Sequence, residues 1–355
     1  MAYTAYVDGL FSAGAAAVVE DETKPFGTIN AALTAITATR GANVTQRWRV
    51  VVRPGIYNEG GATITSLPNV DIYGAGPSTQ ITTTFAFTAG PCTIANMTVS
   101  VPSGSNVTVS SAVRLLNSTW AFTPSTSAVG NAFQLTSPTP SLNMDGVTFS
   151  IIPTVVPPTF ATALAGVAST ATTISSTFLA NNVTGTIIGL GASIVSITAL
   201  GGTSTVDMRD CIFGLTIYDT ATAPIAIYGG NNIVQAATYD FNWNITGCQH
   251  TVTNSTLGGA TAGSYYALNM TPATANPFTP TTSTRCIVSQ CVFDYIGYTN
   301  TATIYSASQT LSTTTNFVQM LDDTWSGTTV HTLYFPSSHP TTPQLILQFI
   351  LVPVV

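Results

Sequence analysis

One local pattern recurs along most of this chain and limits what it can fold into. A short apolar strand runs into a small polar or Asn/Asp/Gly corner, and a small residue then precedes an aromatic or β-branched one. It appears as Ile94-Ala95-Asn96-Met97-Thr98-Val99, Leu115-Leu116-Asn117-Ser118-Thr119-Trp120 and Met144-Asp145-Gly146-Val147-Thr148-Phe149. It returns as Met208-Arg209-Asp210-Cys211-Ile212-Phe213, Val288-Ser289-Gln290-Cys291-Val292-Phe293 and Met320-Leu321-Asp322-Asp323-Thr324-Trp325. The intervals are irregular, about 20 to 40 residues, as in solenoids whose coils carry loops of different length. One such coil cannot bury its own inward side chains, so it must stack on the next at the ~4.8 Å spacing of paired strands. Asn and other small polar residues suit the corners because they bond local backbone groups and tolerate left-handed conformations. Like residues should then stack along the axis, Thr and Asn outside, Val, Ile, Phe and Cys inside. Short hairpin signals are scarce: only Asp8-Gly9 and Asp145-Gly146 carry the Asp-Gly pair. That scarcity favours parallel stacking over a β-sandwich, and the blade signature of a propeller is missing.

A stack of this kind ends in open sheet edges that must be covered. The segment after Pro25-Phe26-Gly27-Thr28 predicts a helix over about 28–40, capped by Thr28, with Ile29, Leu33 and Ile36 on one face and an end near Gly41. It is placed to cover the first end. The apolar tail Leu345–Val355, broken by Pro353, reads as a buried strand or contact surface that covers the second. The expected organisation is an N-terminal arm over 1–24, a solenoid over 25–335 that includes the helix, and an apolar tail over 336–355.

Polarity here comes from Thr, Ser and Asn, because charged residues are only 6% of the chain, against roughly 25% in typical soluble domains. With 45% hydrophobic residues there is ample core, and little charge repulsion keeps copies apart. A net charge of −6 argues against nucleic-acid binding, which needs a basic footprint. Arg47, Arg49 and Arg53 are the one basic cluster, read as outward strand residues near the end of the stack. Cys92, Cys211, Cys248, Cys286 and Cys291 are too scattered for a disulfide framework and contain no CxxC pair, so buried free thiols are expected. No signal peptide is recognised at the start, and no apolar run reaches the roughly 20 residues of a membrane helix.

Three segments near the N-terminus resemble the opening of pectin-lyase-like proteins: Tyr6-Val7-Asp8-Gly9, Lys24-Pro25-Phe26-Gly27-Thr28-Ile29-Asn30-Ala31-Ala32-Leu33 and Val50-Val51-Val52-Arg53-Pro54-Gly55-Ile56-Tyr57-Asn58-Glu59. Val70-Asp71-Ile72-Tyr73-Gly74-Ala75-Gly76 is similar to the segment that follows in that superfamily. The likeness spans about residues 6–85 and implies an all-β fold, a right-handed parallel β-helix with an N-terminal capping helix. The superfamily holds lyases, esterases, polygalacturonases, tailspikes and viral structural proteins, so the fold leaves function open.

The chemistry that such enzymes need is hard to find in linear motifs. Asp322-Asp323 resembles the paired aspartates of polygalacturonases, but the accompanying NTD, GHG and RIK motifs are missing, as is the QD element of the esterases. Adjacent strand residues also point to opposite faces. Asp207, Arg209 and Asp210 come nearest to a lyase constellation, with a salt bridge at a coil corner as the plainer reading. Glu20-Asp21-Glu22 with Asp8 has calcium-type oxygen ligands but reads first as a solvated loop. His250, His331 and His339 show no metal-ligand spacing. Tyr265-Tyr266 and Tyr295 with Tyr298 are available for stacking on sugars or on neighbouring coils. Eight Asn-x-Ser/Thr sequons, among them Asn96-Met97-Thr98 and Asn254-Ser255-Thr256, carry little weight in a Thr-rich chain.

No residue is therefore assigned a catalytic, cofactor or metal role. The expectation is a non-enzymatic structural protein, a viral capsid decoration, fibre or spike at a virion surface or in an extracellular assembly. Its partners would be further copies of itself, as a homotrimer or filament, other virion proteins and host surface glycans, without a cofactor. The alternative is a polysaccharide-degrading lyase or glycoside hydrolase, or a glycan-binding adhesin. The alternative enzyme needs Asp207, Asp210, Asp240, Asp294 and Asp322 to converge on one groove.

Overall fold

The computed structural model describes residues 3–10, 17–124, 130–154, 164–169, 175–199, 202–218, 225–232, 239–255, 265–272, 283–296, 303–309, 316–326, 330–334 and 346–349. The chain winds as a right-handed parallel β-helix, and every strand pairs in parallel with the strand one coil away. Three sheets result, named A, B and C in the order each coil visits them. Trp48–Val52, Gly55–Asn58 and Ile64–Thr65 form the first full coil; Val70–Gly74, Thr79–Thr82 and Phe85–Phe87 lie directly on it. Sheet C holds ten strands, and A and B together form a sheet of 21.

Sheets A and B join because the corner between them does not interrupt the hydrogen-bond ladder. Asn96, Asn117, Gly146, Asn182, Asp210, Gly247 and Gln290 occupy the same corner in successive coils, all with φ between 44° and 67°. In that conformation the corner N–H from Asn96 through Gly247 meets a carbonyl of the next coil: Asn117 to Asp145 at 2.9 Å, Asn182 to Arg209 at 3.0 Å and Asp210 to Thr246 at 3.1 Å. Asn, Asp and Gly dominate the position because their left-handed backbone is cheap. Gly247 also needs its missing Cβ, which would sit 2.5 Å from Oδ1 of Asp210 in the coil below.

After the corner, the strands of sheet B send alternate side chains inward and outward. Thr98, Thr119, Thr148 and Thr184 are register partners on the outside. The matching inward row runs Val99, Trp120, Phe149, Gly185, Phe213, His250 and Phe293. Its rings touch along the axis: Phe149 to Phe213 at 6.3 Å, Phe213 to His250 at 6.0 Å and His250 to Phe293 at 4.4 Å. Gly185 lets Phe149 and Phe213 meet, since a Cβ there would lie 2.6 and 2.7 Å from their rings. The corner residues that follow the left-handed one also point inward, and Cys211, Cys248 and Cys291 stack there as buried free thiols. Each thiol donates to the carbonyl two residues earlier, at 3.2, 3.5 and 3.4 Å.

The first end is closed by helix α1, Ile29–Arg40. Ile29, Ala32, Leu33 and Ile36 are buried, and the helix packs on Tyr3–Val7, Trp48–Val52 and Ile64–Thr65. Thr28 caps it by accepting from Ala31 N at 3.2 Å. The remaining free N–H groups are met by the first coil: the buried Glu59 carboxylate accepts from Ile29 N at 2.8 Å and Asn30 N at 3.1 Å. Tyr57, two residues before Glu59, donates its hydroxyl to Arg53 O at 2.8 Å, and the Arg53 guanidinium holds Asp8 and Glu22, each at 3.1 Å. The cluster of Asp8 and Glu20-Asp21-Glu22 is thus tied to Arg53 and, through Asp21, to Thr23 and Lys24. At the far end, Ile346–Phe349 adds a strand to sheet A beside Asn316–Ser326. No helix among the described residues is long and apolar enough to cross a membrane.

Candidate functional site

Away from the capped end, the charged residues of the described strands lie mainly on the outer face of sheet A. Because strand side chains alternate, two neighbouring outward rows run along the axis. One is Arg114, Asn143, Leu179, Asp207 and Asn244; the other is Leu116, Asp145, Asn181, Arg209 and Thr246. The side chains form two bonded groups, with Asn181 and Arg209 side by side in register where the groups meet. Asp145 accepts from Asn181 Nδ2 at 3.0 Å and lies 3.8 Å from Arg114 Nη2. Arg209 grips Asp207 with both arms of its fork, Nε to Oδ1 at 3.1 Å and Nη2 to Oδ2 at 2.8 Å. Asn244 Nδ2 adds a third bond to Asp207 Oδ1 at 3.3 Å. The Asp207 carboxylate raises the guanidinium pKa of Arg209. Asp210 sits at the corner immediately beyond.

The strip stays open to solvent: the side chains of Asp145 and Asp207 are 42% and 30% exposed, those of Arg114 and Arg209 53% and 60%. Two coils separate Asp145 from Asp207, roughly 10 Å along the axis at ~4.8 Å per coil. Toward the capped end the face continues with Arg47, 3.3 Å from Asp71, and with Arg49, whose guanidinium lies 5.0 Å over the Tyr73 ring.

Asp207 and Arg209 do share a face, as their spacing suggests, and form the expected salt bridge. The wider set does not converge. Asp294 lies on sheet B, opposite Thr251, and the side chains of Asp240 and Asp322 lie outside the described residues. Asp323 is buried inside the tube, where its carboxylate accepts from Cys291 N at 2.8 Å, so it cannot form a surface pair with Asp322. His250 is also interior: Nε2 meets the Tyr228 hydroxyl at 2.5 Å and Nδ1 the Val292 carbonyl at 2.9 Å. Burial lowers its pKa to about 4. Tyr295 faces inward and offers no surface for sugars. His339, Tyr298 and the side chains of His331, Tyr265 and Tyr266 lie outside the described residues. Among the described residues no group of three or more His, Cys, Asp or Glu is arranged to hold a metal ion.

Linear motifs miss Arg114, Asp145, Asn181 and Asn244. The signal that finds them is superposition of the corners. Asp145, Asn181 and Arg209 each stand one residue before the left-handed position, so the coil register places them side by side.

No protein-family model matches the chain, and no curated protein does. Solved structures that match it include the catalytic domain of a GH87 alpha-1,3-glucanase in complex with nigerose and the same domain in complex with tetrasaccharides. Both are 13% identical, with 95% of this chain and 68% of the other covered, at TM-scores of 0.38 and 0.37. At that identity no site residue or substrate is carried over. These are catalytic domains of a glycoside hydrolase, a finding that stands against the expectation of a non-enzymatic virion component without carrying an activity to this chain. The physical reason that the expectation went astray is visible in the strip. It was drawn from missing linear motifs, whereas a solenoid assembles carboxylates from separate coils onto one face.

Proposed function

We propose that this protein binds a linear polysaccharide along the outer face of sheet A and hydrolyses its glycosidic bonds, with Asp145 and Asp207 as the reacting carboxylates. The observation that carries the reading is the strip Arg114–Asp145–Asn181–Arg209–Asp207–Asn244. It is open to solvent, rich in planar groups that bond hydroxyls in both directions, and extended along the axis as a linear ligand is. Two carboxylates stand on the same outer face without touching. Two coils along the axis and two residues across it put their Cα atoms ~12 Å apart. That is well beyond the ~5 Å of a nucleophile–acid pair, so the wider geometry of ~6.5–9.5 Å, which leaves room for a water, is the nearer of the two. One carboxylic acid then protonates the departing glycosidic oxygen. The other carboxylate takes a proton from the water that adds to the anomeric carbon, and solvent exchange restores both groups.

The test is release of reducing ends from a panel of polysaccharides, with the alpha-1,3-glucan of the similar structures included. The expected result is cleavage with inversion, reduced at least a hundredfold in Asp145→Asn and in Asp207→Asn with binding retained. Cleavage that both variants sustain at the native rate contradicts the assignment.

A further inference from the structure

The charge arithmetic of the strip names the class of polysaccharide, an inference that rests on the reading above. In the central coils the guanidinium groups are paired with carboxylates, Arg114 with Asp145 and Arg209 with Asp207, as Arg47 is with Asp71 toward the capped end. The arginines of this face without a carboxylate partner among the described residues flank those coils, Arg49 over the Tyr73 ring and the exposed Arg285 two coils beyond Asp207. In the central coils both arginines are engaged by those aspartates, and Asp210 adds a further negative charge at the corner beside Arg209. The spaces between the pairs are filled by carboxamides, Asn143, Asn181 and Asn244, which donate and accept but carry no charge. Arg209 spends two of its five N–H donors on Asp207, which leaves three for a ligand.

We infer that the ligand is a neutral, hydroxyl-rich polysaccharide, and that the strip discriminates against polyuronates and sulfated glycans. A polyanion with a charge on each sugar would meet Asp145, Asp207 and Asp210 in the central coils, against Arg114 and Arg209 that are already engaged there, and like-charge contact of that kind opposes binding. A neutral sugar loses nothing there. Its hydroxyls accept from the remaining guanidinium N–H groups and the carboxamides, and donate to the carboxylate oxygens.

Affinity electrophoresis of the full chain tests this, with soluble neutral glucans and galactans in one set of gels and polygalacturonate and alginate in another, at low and high salt. The expected result is retardation by at least one neutral polymer, unchanged by salt, with none by the uronates. The double variant Asp145→Asn/Asp207→Asn frees two guanidinium groups and should gain salt-sensitive retardation by polygalacturonate, at least tenfold over the native protein. Stronger binding of native protein to a uronate than to every neutral polymer overturns the neutral-ligand inference and leaves the sheet A site standing. Absence of binding to either class overturns both.

Discussion

His250 shows how strongly the interior of the tube controls a single side chain. It occupies an aromatic position between Phe213 and Phe293 and is fully buried, with both ring nitrogens engaged. Burial disfavours an imidazolium, and the Val292 carbonyl at Nδ1 offsets only part of that. With a folded pKa of about 4, against 6.5 when unfolded, the unfolded chain takes up the proton first. The stabilisation is therefore complete above pH 6.5 and is lost as pH falls toward 4, by about 3 kcal/mol at the limit. Denaturation midpoints measured across that range should fall with acid in the native protein and flatten in His250→Phe, whose ring fits the same stack. An unchanged slope in the variant would contradict the assignment. Burial likewise pushes the Cys92 thiol up to about 12 and raises that of Cys286, consistent with a packing role.

The capping helix and the aromatic row carry the two packing predictions. Glu59 supplies the acceptors for two N–H groups of α1 from thirty residues away. Truncation in Glu59→Ala leaves both unmet and removes a charge that complements the helix N-terminus, at a cost of about 3 kcal/mol. The loss should appear as a lowered denaturation midpoint, with proteolysis beginning at the helix. Gly185→Ala inserts a methyl between the rings of Phe149 and Phe213 and should cost about 1–3 kcal/mol, read from the same midpoint. These elements were also the most legible in the sequence. Thr28, Ile29, Leu33, Ile36 and Gly41 mark the helix by capping and periodicity, and the Asn/Asp/Gly corners mark the coils, because both signals are local. Glu59 was legible only through family resemblance, since its partners lie in another element. The strip on sheet A was least legible. Asp207 and Arg209 are two residues apart and pair visibly, but Asp145 joins them only through the register of stacked coils.

Taken whole, the molecule separates its tasks by face. The interior is apolar and aromatic from the capped end onward. The described outer face of sheet B is a threonine ladder nearly free of charge, with Asp294 its acidic residue. The face of sheet A gathers most of the arginines and, in its central coils, opposes them with aspartates. A chain with 6% charged residues that collects so many on one side makes that side the place to look for a ligand, and the pairing of those charges selects a neutral one. The most direct test is a crystal structure of Asp207→Asn soaked with an oligosaccharide cut from the best-bound polymer. The account predicts sugar density along sheet A, across Arg114, Asp145, Asn181, Arg209 and Asn244. Density on sheet B or C, with sheet A bare, would contradict it.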